Sequence, residues 1–185
     1  MPSPVAHLSV GFFIYRFIKN SSTWKKFSLL KNKTFLITIC FVLSVLPDMD
    51  FVPGFFAGNV AGYHNNWSHS LIVCCFLAVL LSLLIGVVKR RNALQWFWLI
   101  ILCCGMHVVM DYFTWGRGVK LFWPFLADRY IAPFIIFRGV RWSEGFFSIE
   151  HVWTVLTELI FVFLLFITTW IVHKRGKNWS NGVLE

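Results

Sequence analysis

Three runs of this sequence are long and apolar enough to cross a lipid bilayer. They run from Leu71 to Val88, Ala93 to Val109 and Val155 to Val172, and each has few or no charges. A helix of about 17–18 residues nearly spans a hydrocarbon core about 30 Å thick. The chain is 58% hydrophobic and 14% charged, whereas a typical soluble domain is about one quarter charged. We therefore expect an integral membrane protein.

The expected fold class is all-α, a membrane-embedded helical bundle that forms a single domain over residues 1–185. Five hydrophobic segments are predicted, with these approximate bounds: Pro4 to Ile18, Thr34 to Leu46, Ser70 to Val88, Ala93 to Met110 and His151 to Val172. The first two are short, since 13 to 15 residues span only about 20–23 Å. They could be half-embedded, or snorkelling lysines and local thinning of the bilayer could complete them.

Cationic residues set the predicted orientation. Most of the 17 Lys and Arg residues fall between segments 1 and 2, between segments 3 and 4, and after segment 5. Loops rich in Lys and Arg face the cytoplasm, so residues 47–69 and 111–150 are expected on the outer face. The net charge of +9 then favours anchoring to anionic lipid. We expect membrane lipid as the partner and no nucleic acid, and the sequence defines no oligomeric state.

This orientation gathers residues of a metal-binding kind at one face of the membrane. Ionisable residues at such depth are costly, and a functional site is their usual reason. Because the orientation rests on Lys and Arg alone, the clustering is independent evidence for a site. The predicted metal ligands are His7, Asp48, Asp50, His64, His69, His107 and Asp111.

Six of the seven residues form three pairs, and His7 stands apart near the start of segment 1. Asp48 and Asp50, two residues apart in a loop that Pro47 opens, could hold one or two cations; the alternative is a solvated loop. His64 and His69 flank the entry of segment 3, where Ser68 or Ser70 could cap the helix.

The strongest pair is His107 and Asp111. They stand four residues apart on a predicted helix and so project from one face. There they could ligate one ion or orient each other. The alternative is a hydrogen-bonded pair that only holds two helices together.

Imidazole combined with carboxylate favours a divalent transition metal, and we expect one or two ions, with Zn or Mn favoured. A metal site with open positions lowers the pKa of bound water toward about 7. The sequence contains no G-x-S-x-G, H-E-x-x-H or P-loop motif. Metal-activated water is therefore favoured over a Ser or Cys nucleophile.

Further candidate residues lie on the same side. Glu158, about two turns into segment 5, is expected to support the site as a general base or an orienting partner; with Asp50 it is a candidate catalytic group. The alternative for Glu158 is a pairing with a polar group of a neighbouring helix. Candidate substrate-binding residues for an anionic headgroup are Arg117, Arg138, Arg141 and Asn65. The alternative for the arginines is solvated loop charge.

The same residues lie in an ordered set of motifs: Pro4-Val5-Ala6-His7, Leu46-Pro47-Asp48-Met49-Asp50, His64 with Ser68-His69-Ser70, His107-Val108-Val109-Met110-Asp111 and Gly118 to Phe125. This set, over residues 4 to 125, resembles the YdjM-like inner-membrane metal-dependent hydrolases. The resemblance implies a multi-pass protein of the bacterial inner membrane, hydrolase activity and a His/Asp metal site, which the orientation places on the periplasmic face.

Two further points follow from the resemblance. A more remote likeness to zinc-dependent phospholipase C enzymes implies phosphoester substrates. The chain departs from the family pattern at Asn65, where Arg is common, and at Ser68, where Thr is usual. Asn65 donates hydrogen bonds but has no charge for a phosphate.

Two functional hypotheses result. The first is a membrane-bound metal-dependent hydrolase that acts on a lipid or lipid-linked phosphoester. The second is a non-catalytic scaffold or regulatory protein that a metal stabilises. A metal carrier is disfavoured, because segments 3 and 4 are almost wholly apolar below their outer ends.

Overall fold

A computed structural model of the chain describes residues 2–21, 24, 31–89, 92–140 and 149–182. Within these residues the regular structure is helical, with isolated β-bridges and no strand. The α-helices are α1 (Pro4–Asn20), α2 (Lys33–Val45), α3 (Phe51–Phe56), α4 (Val60–Tyr63), α5 (Leu71–Lys89), α6 (Ala93–Tyr112) and α7 (Ile149–Gly182). Two 3₁₀ helices, Leu46–Asp50 and Trp67–His69, lie between them. The expected all-α fold class is confirmed.

Membrane-length helices make up most of the fold. In the described part of the chain, four helical stretches are long and apolar enough to cross a bilayer: Lys33–Phe56, Leu71–Val88, Ala93–Tyr112 and His151–Ile171. Only 17% of the Leu71–Val88 stretch and 11% of the last one are buried inside the protein. Their remaining apolar side chains are therefore available to lipid. Helix α1 is 17 residues long.

The second hydrophobic segment is longer than the sequence indicates. Helix α2 continues directly into the 3₁₀ helix Leu46–Asp50 and then into α3. Together they form an unbroken helical stretch of 24 residues, Lys33–Phe56. Proline suits the first turn of a helix, because its φ is already helical and the N–H that it lacks has no partner there. Pro47 occupies the first turn of the 3₁₀ helix, so the helical stretch continues through it. The prediction that Asp48 and Asp50 lie in a loop was wrong.

Helix α6 lies at the centre of the bundle and contacts α1, α2 and α5, while α7 packs against α1. Helix α1 turns a stripe of buried residues toward this centre, at the spacing of one helix face. The stripe consists of Ala6, His7, Val10, Gly11 and Ile14. His7 is thus placed on the inner face by the same pattern that buries its apolar neighbours.

Gly11 is the point of closest approach between α1 and α2. A Cβ at this position would lie 2.7 Å from the Ser44 hydroxyl oxygen and 2.9 Å from the Cys40 carbonyl oxygen. We expect Gly11→Ala to lower the free energy of unfolding by about 1–3 kcal/mol, as overpacking does. Denaturant unfolding in detergent measures it.

Gly105→Ala is the matched control, since among the described residues no heavy atom outside the adjacent backbone of α6 lies within 4 Å of a Cβ built there. It should raise stability by about 0.5–1 kcal/mol, because alanine loses less backbone entropy in a helix. Equal effects of the two substitutions would contradict the tight α1–α2 contact.

The segment after α6 folds back over the N-terminal end of α5. Val119 and Tyr130 exchange two backbone hydrogen bonds of 2.9 and 2.8 Å, and the Leu71 N–H donates to the Leu121 carbonyl. The Ser70 hydroxyl oxygen accepts from the N–H groups of Ile72 and Val73 at 3.2 and 3.4 Å. This confirms Ser70 as a cap of α5 and fixes the position of the preceding residue, His69.

Candidate metal centre

Four side chains meet between the 3₁₀ helices and the C-terminal end of α6. Asp48, His69, His107 and Asp111 each offer one nitrogen or oxygen atom, and these four atoms all lie within 4.8 Å of one another. His69, His107 and Asp111 are at most 3% exposed, and the Asp48 side chain is 13% exposed. The i and i+4 placement of His107 and Asp111 therefore does bring both to one face.

The spacing of the donor atoms matches a tetrahedral metal site. His69 Nε2 lies 3.2 Å from His107 Nε2 and 3.0 Å from Asp111 Oδ2. Asp48 Oδ1 lies 3.3 Å from each of the two imidazole nitrogens. Ligands about 2.0–2.2 Å from a tetrahedral centre are about 3.3–3.6 Å apart. With His107 Nε2 and Asp111 Oδ2 3.7 Å apart, five of the six distances among the four atoms are close to this range, so together they could hold a metal ion.

The far side of each imidazole ring is fixed by an acceptor. His107 Nδ1 donates to the Ser44 carbonyl oxygen at 2.7 Å. The Ser68 hydroxyl donates to Asp50 at 2.5 Å, so its oxygen is free to accept from His69 Nδ1 at 2.9 Å. With Nδ1 protonated, each Nε2 lone pair points into the cluster. Metal-binding histidines are held in this way in proteins.

Asp50 lies behind the cluster rather than within the group of four. Its carboxylate accepts from Ser68, from His64 Nδ1 at 2.7 Å and from the Asn66 N–H at 3.4 Å. A 3₁₀ helix turns by about 120° per residue, so residues two apart point in different directions. Asp48 therefore faces the other donors, while Asp50 orients His64 and His69.

His64 and His7 flank the four-residue group. His64 Nε2 lies 3.7 Å from Asp48 Oδ1, with 20% of the side chain exposed. His7 is fully buried and stacks on His107, with ring centroids 3.7 Å apart. Its Nε2 lies 3.7 Å from Asp111 Oδ1. The structure thus brings all seven predicted residues together. Four of them form the central group, and Asp50, His64 and His7 surround it, a distinction that the sequence does not make.

Several of these buried nitrogen and oxygen atoms lack a hydrogen-bond partner among the described residues. Within the described residues, Asp48 Oδ1, both Asp111 carboxylate oxygens and both His7 ring nitrogens have no hydrogen-bond partner. Burying such groups unpaired is costly, particularly for a carboxylate. A cation among them would satisfy the oxygens and offset their charge, so the buried His/Asp group could hold a metal ion.

The electrostatics at His69 favour positive charge. Burial alone would lower the pKa of His69, but the adjacent carboxylates of Asp111, Asp48 and Asp50, 3.0 to 3.4 Å from its ring nitrogens, raise it well above its usual value. Three carboxylates around one imidazole therefore stabilise a cation at this position. A divalent metal would supply that charge in place of the proton.

Two arginines hold the loop that carries His64. Arg117 donates to the His64 carbonyl oxygen, and Arg129 Nη1 donates to the carbonyl oxygens of Asn65 and Gly118 at 2.8 and 3.0 Å. Burial and the nearby Arg117 lower the pKa of Arg129. Arg129 was not predicted, because a side chain that binds backbone carbonyls leaves no sequence signal. Substrate binding by Arg117 stays a prediction.

The other predicted substrate-binding residues have different surroundings. Asn65 is buried in a left-handed conformation with φ of 56°, and its side-chain oxygen lacks a hydrogen-bond partner among the described residues. The Arg138 guanidinium lies 5.8 Å from the centre of the Trp153 ring. Arg141 lies outside the described residues.

Glu158 ties α7 to the start of α1. Its carboxylate accepts hydrogen bonds from the Ser3 backbone N–H, at 2.6 Å, and from the Ser3 hydroxyl, and it is only 5% exposed. Ser3 directly precedes the helix that carries His7. This contact matches the alternative predicted for Glu158, a pairing with a polar group of a neighbouring helix, while its catalytic or orienting role at the site stays a prediction.

We expect Ser3→Ala and Glu158→Gln each to destabilise the protein, by about 1–3 kcal/mol, because each leaves a buried polar group without its partner. The double variant should lose clearly less than the sum of the single losses, since the two residues share one interaction. Unfolding of the four proteins of the cycle measures the coupling. Strictly additive losses would contradict the contact.

Fold and site together define a helical membrane protein with a buried His/Asp cluster that could hold a metal ion. The model of the family described as "YdjM inner membrane protein" matches residues 1–178, and the chain belongs to this family. The inner membrane protein YbcI of Escherichia coli (strain K12) is 31% identical over 129 residues, which cover 66% of this chain and 73% of YbcI. No solved structure matches. The predicted family is thereby confirmed.

Proposed function

We propose that this protein is a metal-dependent hydrolase of the inner membrane that acts on a lipid or lipid-linked phosphoester. The observation that carries the proposal is the set of four buried donor atoms, five of whose six mutual distances are 3.0 to 3.7 Å. Histidine and carboxylate ligands suit Zn or Mn, as one or two ions. If water were bound as a fifth ligand, such an ion would lower the pKa of that water and offset charge on a phosphoryl oxygen.

The residues around the cluster supply binding and orientation. Asp48 and His64 are the partly exposed members, at 13% and 20%, whereas His69 and His107 are closed off inside the bundle. A substrate would therefore approach past Asp48 and His64. Asp50 accepts a hydrogen bond from His64 Nδ1 at 2.7 Å and so fixes the orientation of the His64 ring beside Asp48.

The proposed location is the periplasmic face, at the level of the lipid headgroups. The support is charge bias: the three Lys- and Arg-rich stretches fall at the opposite ends of the helices from the cluster. Asp111 lies one residue before the end of α6, and His69 lies two residues before α5 begins. A phosphoester of a membrane lipid lies at about this depth.

Turnover of a panel of phospholipids and lipid phosphates by the full chain in nanodiscs tests the proposal. We expect hydrolysis with Zn or Mn, complete loss with a chelator and recovery on adding the metal. A metal-stabilised scaffold would bind the same ion without turnover. A metal-loaded protein that hydrolyses no member of the panel would contradict the hydrolase proposal.

A further inference from the structure

An apolar groove of about 480 Å³ opens beside the metal centre, between the 3₁₀ helix Leu46–Asp50 and the first turns of α5. Its walls include Leu46, Val73, Phe76 and Leu77, and its polar lining residues are Asp50 and Ser68. The volume is in the range of roughly 300–1,000 Å³ that small-molecule sites occupy. The groove is therefore large enough for a ligand and has polar groups to orient one.

The polar residues lie at the end of the groove nearest the cluster. Ser68 precedes α5, which begins at Leu71. Leu77 lies six residues after Leu71, which is about 9 Å further along the helix at 1.5 Å per residue. Ser68 contacts Asp50 at 2.5 Å and His69 at 2.9 Å. The groove thus leads from the residues that orient the metal ligands down toward the membrane interior.

The surroundings of the groove define what can fill it. Its walls belong to the membrane-length stretches Lys33–Phe56, Leu71–Val88 and Ala93–Tyr112. Phe76, on one wall, is 67% exposed, so the groove borders the hydrocarbon of the bilayer. Water needs two to four polar partners to occupy a cavity, and this depth offers few. Hydrocarbon is the ligand that fits.

We propose that this groove binds one acyl chain of the substrate lipid and places the phosphoester at its Asp50–Ser68 end. That the bound lipid is a substrate rests on the proposed hydrolase function, whereas binding of the acyl chain requires no turnover. It predicts that the protein prefers phosphoesters that carry a long alkyl chain. Among phosphoesters without such a chain, it should discriminate poorly between different headgroups. Chain length is set by the distance from Ser68 to the inner end at Leu77.

Photocrosslinking tests chain binding directly. The probe is dodecyl phosphate with a diazirine in its chain, added to the full protein in phospholipid nanodiscs. We expect adducts on the peptide that contains Val73 to Leu77, and excess unlabelled dodecyl phosphate should remove at least nine tenths of them. Adducts that are spread evenly along α5 and resist competition would show ordinary lipid contact and overturn the proposal.

Two variants on the same helix give a matched comparison. Val73→Trp fills the groove and should lower competable labelling at least tenfold, whereas Val79→Trp, at a 46% exposed position outside the groove lining, should leave it unchanged. Bound Zn measured in each variant reports whether the cluster has folded. Equal labelling of a Zn-loaded Val73→Trp variant and of wild type would overturn the proposal.

Leu77→Trp provides a second test in case the Val73→Trp variant does not fold. Leu77→Trp shortens the groove at its inner end, so the best competitor should change from dodecyl to octyl phosphate. An unchanged chain-length preference would overturn the proposal. Competable labelling without turnover would retain the groove and reject the hydrolase, and turnover that ignores chain length would do the reverse.

Discussion

His107→Ala is expected to lower the affinity for Zn by more than about 100-fold. Loss of a residue that merely orients a ligand costs about 10–100-fold, and His107 Nε2 is itself a donor, 3.2 and 3.3 Å from its neighbours. The substitution also leaves the Ser44 carbonyl without its 2.7 Å donor. Isothermal titration of detergent-solubilised protein with Zn measures the change.

His151→Ala is the matched control, since His151 is a half-buried histidine of α7 outside the four-residue group. It should bind Zn as wild type does. Asp50→Asn should fall between the two, about 10–100-fold weaker than wild type, because it weakens the orientation of His64 and His69. Wild-type affinity in His107→Ala would contradict the proposed ligand set.

Adding Zn to metal-free protein is expected to raise its stability strongly. A ligand that binds only the folded state at 1,000 times its Kd contributes about 4 kcal/mol. For a chain of this size each kcal/mol raises Tm by about 2–4 °C, so we expect a rise of roughly 10 °C. The physical reason is that the metal-free state buries Asp48 and Asp111 oxygens without hydrogen-bond partners. Thermal unfolding in detergent, with and without chelator, measures it.

The control for this experiment is Asp48→Ala with Asp111→Ala. The double variant lacks the unpaired oxygens and half of the donor atoms, so its Tm should not respond to Zn. A similar rise in both proteins would place the stabilising ion elsewhere.

The sequence predicts the all-α membrane fold class, because apolar length is a property of the sequence alone, whereas the face of the membrane on which the cluster lies stays a prediction from the Lys/Arg distribution. The i, i+4 rule also places His107 and Asp111 on one face of α6. The Ser70 cap follows from hydroxyl chemistry at a helix start. Each of these inferences needs only local geometry.

Other features depend on tertiary structure. The 3₁₀ conformation at Pro47 decides that Asp48 faces the cluster while Asp50 lies behind it, and D-x-D spacing is the same in either conformation. The Ser44 carbonyl that holds His107 belongs to the backbone of a different helix. Likewise, the contact between Ser3 and Glu158 joins residues 155 positions apart.

An experimental structure of Zn-loaded protein, with anomalous scattering recorded at the Zn edge, tests the metal centre most directly. We predict one strong peak bounded by Asp48 Oδ1, His69 Nε2, His107 Nε2 and Asp111 Oδ2, about 2.0–2.2 Å from each. No peak at this position under saturating Zn, with the four side chains paired directly to one another, would contradict the account.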